Sequence, residues 1–188
     1  LEVTCHPDIW QRSAFRGEGL DIPGVFGGGK GPTGGSYSLD DARELISHGQ
    51  ALGIEIMPEI EVPAHALALA RIKPGLRDPN DTGQETSVQG YARNSINPAC
   101  DATWPFLDAL SAELLDIFPF RHLHIGGDEP PAGMWDASPA VDALKAREGL
   151  DDRDDAQGWT MDKLAGIITG KGGVPAAWEE AARGSQGG

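Results

Sequence analysis

The chain has 188 residues, of which 39% are hydrophobic, and this is enough for one globular core. Its 29 acidic and 15 basic residues give a formal net charge of -14. Such a surface repels phosphate backbones and anionic lipid, so nucleic acid is not an expected partner, whereas neutral sugar polymers are compatible with it. The sequence contains no run of about 18 apolar residues, so we expect no membrane span.

The cysteines and the chain ends give little information about compartment. Cys5 and Cys100 lie far apart and outside a metal-ligand spacing such as C-x-x-C, so two independent thiols are the simpler interpretation, with a disulfide left open. The chain opens on Leu1 without a signal-type apolar stretch, and we expect it to be a segment of a longer polypeptide. An exported or periplasmic location is compatible with the sequence but not indicated by it, and no feature indicates an oligomeric state.

The first part of the chain is predicted to be irregular until a helix begins near Ser38. Residues 17–36 are dense in glycine and proline. Lys30 follows three glycines but does not complete a G-x-x-x-x-G-K-[ST] phosphate loop. The segment 38–41, Ser-Leu-Asp-Asp, resembles a capping box, and apolar residues then recur at helical spacing from Leu39 to Leu52. Gly53 is expected to end this helix.

Predicted strands and helices alternate along the rest of the chain. Residues 54–62 alternate apolar and acidic side chains before Pro63, which indicates a strand. The later predicted elements are a helix at about 101–118, a strand at 121–127, a polar helix around Leu144, a helix near 160–169 and a short apolar segment at 174–178.

This alternation is typical of α/β proteins with parallel strands joined by helices. A doubly wound open sheet would usually carry a nucleotide-type glycine loop early in the chain, and none is found, so the (β/α)8 barrel of TIM type is favoured. A complete barrel typically needs about 250 residues. We therefore expect residues 1–188 to form a partial barrel domain, with no second domain evident.

Asp128 and Glu129 lie side by side where a predicted strand ends, which is the active-site edge of such a barrel. Successive side chains diverge at a strand end, so the two carboxylates can serve one site in different roles. Each carboxylate also raises the pKa of its neighbour, which helps one of them remain protonated as a general acid. The same Gly-Gly-Asp-Glu-Pro-Pro string is suitable for the start of a helix, so the spacing alone leaves both interpretations open.

Three segments, in order, carry a resemblance to a known family. Residues 122–129, His-Leu-His-Ile-Gly-Gly-Asp-Glu, resemble the H-x-G-G-D-E strand end of glycoside hydrolase family 20, the β-N-acetylhexosaminidases. Residues 57–65, Met-Pro-Glu-Ile-Glu-Val-Pro-Ala-His, are similar to the family's preceding strand, P-E-I-D-x-P-G-H, with Ala64 in place of glycine. Residues 177–180, Ala-Trp-Glu-Glu, resemble the W-D-E segment of the following strand.

The resemblance implies a retaining glycosidase that removes β-linked N-acetylhexosamine, either GlcNAc or GalNAc. In this family the 2-acetamido oxygen of the substrate attacks the anomeric carbon to give an oxazolinium ion, so no protein nucleophile is needed. Glu129 would be the general acid and base, and Asp128 would hydrogen-bond the acetamido N–H. His65 and Glu59 would belong to a supporting network, and Trp178 would line the sugar pocket. No cofactor and no metal are implied.

Weaker correspondences extend the expected site. Trp135, six residues after Glu129, falls where the family often places an aromatic residue, and it is a further candidate for substrate binding. An earlier family strand of the form H-x-T-D-D-x-x-W-R is similar to residues 3–12, in which Trp10 and Arg12 would match and Asp8 would substitute for the acidic pair in the supporting network.

Other interpretations of the same residues remain. His122 and His124 share a strand face and, with Asp128, could hold the metal of a barrel hydrolase, although His124 is more simply a buried strand residue. Glu59 and Glu61 are expected to alternate faces, so that only one points into the polar interior. A carbohydrate-binding or inactive barrel fragment is the non-enzymatic alternative, because several pocket residues of the family have no counterpart in this chain.

Overall fold

The computed structural model describes residues 1–24, 29 and 31–184. The helices are α1 Pro7–Ser13, α2 Leu39–Ala51, α3 Leu67–Ile72, α4 Thr103–Ile117, α5 Pro139–Glu148 and α6 Arg153–Gly170, with short 3-10 turns at Pro74–Leu76 and Glu179–Ala182. The strands are β1 Phe15–Arg16, β2 Thr33–Gly34, β3 Glu59–Val62, β4 His122–Gly126 and β5 Val174–Ala176. The predicted feature at Lys30 lies outside the described residues.

Strands β3, β4 and β5 form a parallel sheet in that order. Glu59 lies opposite His124 across β3 and β4, and His124 lies opposite Ala176 across β4 and β5. Helix α4 lies in the connection from β3 to β4, and helices α5 and α6 lie in the connection from β4 to β5. The predicted parallel sheet with helical crossovers is therefore confirmed. The three strands do not close into a barrel within the part of the chain that the structure describes.

The main core lies between this sheet and helices α4 and α6. Its most deeply buried aliphatic side chains come from all of these elements and include Val62, Leu107, Leu123, Leu164 and Ile168. Burial of each such side chain contributes roughly 1.5–3 kcal/mol to the free energy of unfolding. The core therefore holds the three strands side by side, and with them the loops that leave their carboxyl ends.

The predicted start of helix α2 is confirmed in detail. Ser38 Oγ accepts a hydrogen bond from the backbone N–H of Asp41 at 3.1 Å, and the Asp41 carboxylate accepts from the backbone N–H of Ser38 at 2.8 Å. This is the reciprocal arrangement of a capping box. The irregular prediction for 17–36 also agrees with the described residues of that segment, apart from β2 and an isolated bridge at Ile22.

Two predicted boundaries are wrong. The strand expected at 54–62 is limited to Glu59–Val62, because the backbone N–H of Ile54 bonds back to Gly49 O at 2.8 Å and so closes helix α2. The helix expected near 160–169 begins at Arg153, where the Asp152 side chain accepts from the backbone N–H of Asp155 at 2.9 Å. In both places a local hydrogen bond at a helix end sets the boundary.

The structure also bears on the cysteines and on membrane association. Cys5 and Cys100 are both free thiols, which confirms the interpretation as two independent cysteines. Burial and the neighbouring Glu113 raise the pKa of Cys5 to about 12. None of the described helices combines the length and the apolar character needed to cross a bilayer.

Candidate active site

The carboxyl ends of the three parallel strands place four of the predicted residues near one another. His65 follows β3, Asp128 and Glu129 follow β4, and Trp178 follows β5. Because parallel strands present their carboxyl ends at the same edge, residues more than a hundred positions apart in the chain meet there. Glu59, at the start of β3, points to the same region, since its carboxylate contacts the Trp178 side chain.

The exit from β4 depends on two glycines. Gly126 and Gly127 have φ values of +69° and +94°, a left-handed region that favours glycine. A Cβ atom on Gly126 would lie 2.5 Å from Glu61 Oε2, and one on Gly127 would lie 2.6 Å from the Cβ of Ala181. The chain can therefore turn out of the sheet and carry Asp128 into the site only with glycine at both positions.

Asp128 and Glu129 share one histidine. His65 Nε2 lies 3.6 Å from Asp128 Oδ2 and 3.3 Å from Glu129 Oε2, so the ring lies between the two carboxylates. Glu129 and His65 both have positive φ, at +45° and +50°, which is uncommon away from glycine and is concentrated at functional sites. The Glu129 side chain is 45% exposed, whereas that of Asp128 is 26% exposed. Glu129 can thus reach a bound molecule from the solvent side, and Asp128 lies deeper.

Glu59 fixes the orientation of the exposed tryptophan. Glu59 Oε1 accepts from Trp178 Nε1 at 3.0 Å and lies 3.0 Å from His124 Nδ1. The backbone N–H of Gly126 donates to His124 Nδ1 at 3.2 Å, so this ring nitrogen is approached by both a backbone donor and the Glu59 carboxylate. Trp178 is 49% exposed and packs edge-on against the His124 ring at 4.9 Å. His124 itself is buried, as predicted.

Glu61 is a site residue that the sequence analysis placed wrongly. Residues two apart on a strand point to the same face, so Glu59 and Glu61 lie together and not on opposite faces. Burial, followed by the neighbouring carboxyl groups of Glu59 and Asp128, raises the pKa of Glu61 to about 9. The two-residue periodicity of a strand already predicts that Glu61 lies on the same face as Glu59.

A second missed residue is Gln89, which comes from the loop between α3 and α4. Its Nε2 donates to Glu129 Oε2 at 3.4 Å. Gln89 also lines a cavity of about 250 Å³ with Arg16, His65 and Tyr91. Two of its lining residues, Gln89 and His65, thus contact the exposed Glu129 carboxylate. No motif in the sequence marks Gln89, because its position depends on the path of a long loop.

Trp135 does not contact the site, and the prediction that it binds substrate is wrong. The ring is 3% exposed, packs with Met134 and Val141, and donates from Nε1 to the backbone oxygen of Ile96 at 3.0 Å. The loop after Glu129 turns inward at this point, where Trp135 has a φ of +64°. A buried indole N–H needs an acceptor, and here it finds one in the backbone.

Asp8 is not brought to the carboxylate pair either. The segment that was compared with a family strand forms helix α1, which Pro7 starts at its first turn. The Asp8 carboxylate lies 2.7 Å from Lys73 Nζ, and this contact lowers the pKa of Asp8. Arg12 pairs with Asp21 at 2.8 Å. These contacts tie α1 to its neighbours and give Asp8 a structural role.

The metal site suggested by His122, His124 and Asp128 is not assembled in the described part of the chain. Two groups of potential ligands have their donor atoms within 4.8 Å of one another: one is Glu59, Glu61 and His124, and the other is His65, Asp128 and Glu129. His122 belongs to neither group and stacks on Phe120, with ring centroids 3.9 Å apart.

Comparison with known proteins gives the family. The chain belongs to glycosyl hydrolase family 20, whose catalytic-domain profile matches residues 1–187. It is 33% identical over 187 residues to a β-hexosaminidase of Vibrio furnissii, a match that covers 99% of this chain and 31% of that protein. It is 27% identical over 176 residues to the β-hexosaminidase subunit alpha of Mus musculus, covering 93% of this chain and 33% of that protein.

A solved structure agrees with this assignment. The family 20 exo β-N-acetylglucosaminidase of Vibrio harveyi, solved in complex with N-acetylglucosamine, superposes with a TM-score of 0.91 at 33% identity. The match covers 96% of this chain and 28% of that chain. The chain thus spans about a third of the length of these relatives. The α/β segment belongs to the family's TIM-barrel-type catalytic fold, of which the described residues form an open part.

Proposed function

We propose that the enzyme containing this chain is a retaining β-N-acetylhexosaminidase. It would remove β-linked N-acetylhexosamine, GlcNAc or GalNAc, from glycoconjugates or chitin-type oligosaccharides, on a (β/α)8 barrel of which residues 1–188 are part. The observation that carries the proposal is the shared contact of His65 with Asp128 and Glu129 at the strand ends. The names of the relatives, β-hexosaminidase in both cases, support the same activity.

Catalysis would begin with the acetamido group of the substrate. Asp128 accepts a hydrogen bond from the acetamido N–H, which directs the acetamido oxygen at the anomeric carbon and stabilises the positive charge that develops. Glu129 donates its proton to the glycosidic oxygen as the carbon–oxygen bond breaks and the oxazolinium ring closes. The Glu129 carboxylate then removes a proton from water, which attacks the anomeric carbon and reopens the ring. Two inversions at this carbon retain the β configuration.

The other residues position these groups. His65 lies against both carboxylates and restrains their orientation relative to each other. Trp178 presents an exposed ring against which the C–H face of a sugar can stack, and its bond to Glu59 holds the ring in place. The cavity lined by Gln89 and His65, both of which contact Glu129, is the space that we propose for the leaving group.

Release of p-nitrophenol from p-nitrophenyl N-acetyl-β-glucosaminide tests this activity in the full polypeptide. We expect release by the unmodified enzyme and a fall in kcat of about 10²-fold or more in Glu129→Gln, because the variant has no carboxylate to remove a proton from the attacking water. Glu55→Gln is the matched control, since Glu55 is exposed and lies outside the site. If the unmodified enzyme releases nothing between about pH 4 and 8 but still binds the sugar, the carbohydrate-binding alternative holds.

A further inference from the structure

Two buried carboxyl oxygens in the site have no hydrogen-bond partner. They are Glu61 Oε2 and Asp128 Oδ1, and they belong to side chains that interact directly with each other. An ionised carboxylate only accepts hydrogen bonds, so two ionised groups in this position would leave both oxygens unsatisfied and add a repulsion between like charges. A single proton between them removes both problems.

We propose that Glu61 holds a proton and donates it to Asp128 Oδ1, which makes Glu61 a positioning residue for Asp128. Asp128 Oδ2, which faces His65, is then the oxygen that remains available to accept the acetamido N–H. The proposal rests on the proposed function only in so far as Asp128 is taken to orient the acetamido group. The shared proton itself is a property of the enzyme without substrate.

The surroundings of Glu61 favour the protonated form. The groups that act on it are Glu59 on the same strand and Asp128 after β4, and both are acidic. The two imidazoles near this cluster contact other carboxylates: His124 pairs with Glu59, and His65 lies against Asp128. Burial is the largest influence, and with these neighbours it raises the pKa of Glu61 to about 9.

The strand geometry gives Glu61 room for this contact. Its carboxyl group occupies the space beside Gly126 that a Cβ would otherwise fill. A neutral carboxyl in that space leaves one negative charge on the pair, so Asp128 stays ionised while one of its oxygens is held in place. A glutamine has the same shape and still donates a hydrogen bond, whereas an alanine has no donor.

Infrared difference spectra test the shared proton without substrate. At neutral pH the spectrum of the unmodified enzyme should contain a carbonyl stretch of a protonated carboxyl group that is missing from the spectrum of Glu61→Gln. Glu55→Gln, in which an exposed carboxylate is removed, should keep the band. Asp128→Asn should move the titration of the band to lower pH, because one of the negative neighbours of Glu61 is gone. A Glu61 carboxyl that is already ionised at neutral pH overturns the proposal.

Kinetics of the full polypeptide test the positioning role. We expect Glu61→Gln to keep kcat within about threefold and Glu61→Ala to lower it about 10²-fold with little change in KM, because the loss concerns the transition state. Equal losses in the two variants contradict hydrogen-bond donation by Glu61. An unmodified enzyme that shows the infrared band but no hydrolysis refutes the proposed function and leaves the shared proton established, so the two claims fail separately.

Discussion

Asp128 and Glu129 are adjacent in sequence, but they differ in burial and in their neighbours. Glu129 is the more exposed and contacts Gln89, whereas Asp128 lies deeper against His65 and Glu61. We therefore expect the two side chains to meet different parts of a bound sugar. This separation predicts that their variants respond differently to the leaving group.

A comparison of leaving groups should separate the two roles. Glu129→Gln should lose at least about tenfold more kcat/KM on N,N′-diacetylchitobiose than on the p-nitrophenyl glycoside, because p-nitrophenolate leaves without a proton. Asp128→Asn should lose a similar factor on both substrates, since it acts on the acetamido group that they share. The measurement is kcat/KM for both substrates in each variant. Identical patterns in the two variants would contradict the assigned roles.

The two tryptophans that were predicted to bind substrate should behave in opposite ways. Trp178→Ala should raise KM about tenfold, from the loss of roughly 0.5–1.5 kcal/mol of stacking, with little change in unfolding. Trp135→Ala should lower the free energy of unfolding by about 3–5 kcal/mol because its ring is buried. Urea unfolding and substrate titration of both variants provide the check. A KM effect confined to Trp135→Ala would refute the assignment of Trp178.

The sequence alone predicted those site residues that lie in short contiguous motifs. Asp128, Glu129, His65 and Trp178 each lie in a recognisable segment at a strand end, and the structure brings these segments together. The Trp135 prediction failed because distance along a loop does not determine the direction of a side chain. The prediction that Asp8 supports the acidic pair failed for a related reason. Pro7 begins a helix where a strand was expected, and the Asp8 carboxylate therefore contacts Lys73.

At the level of elements, the Gly126-Gly127 turn connects strand β4 to Asp128 and Glu129. The positive φ and the close approach of Ala181 both require glycine at position 127. Gly166, in helix α6, is the reverse case, since a Cβ there would meet nothing within 4 Å. The same substitution at the two positions should therefore have opposite effects.

We expect Gly127→Ala to destabilise the fold by more than about 1 kcal/mol, because the backbone conformation and the contact are both incompatible with a side chain. Gly166→Ala should stabilise it by roughly 0.5–1 kcal/mol, as alanine favours a helix interior. Chemical denaturation measures both changes. A Gly127→Ala variant as stable as Gly166→Ala would show that the turn does not need glycine.

The types of the longer helices and of strands β3 and β4 were predictable from periodicity, whereas helix α1 and several element boundaries were not. The helical spacing after Ser38 and the buried strand before Gly126 depend on patterns that extend over many residues. The start of α6 depends on one capping residue, Asp152, whose side-chain bond to the Asp155 backbone is visible only in the structure. The end of α2 is set in the same way, since it uses the backbone of Ile54.

At the level of the whole molecule, the candidate site exists because three parallel strands end at one edge. Each strand supplies a different part: His65 follows β3, the acidic pair follows β4, and Trp178 follows β5. The open sheet and the match to about a third of the related proteins place this chain within a larger catalytic fold. The net charge of -14 is compatible with a neutral sugar as substrate.

We propose that the substrate's own acetamido group performs the nucleophilic attack, guided by Asp128. The most direct measurement is kcat of the full polypeptide on p-nitrophenyl glycosides whose N-acetyl group carries increasing numbers of fluorine atoms. Fluorine withdraws electron density from the acetamido oxygen, so we expect kcat to fall steeply with each fluorine, by about tenfold or more per step. A rate that does not depend on fluorination would contradict it.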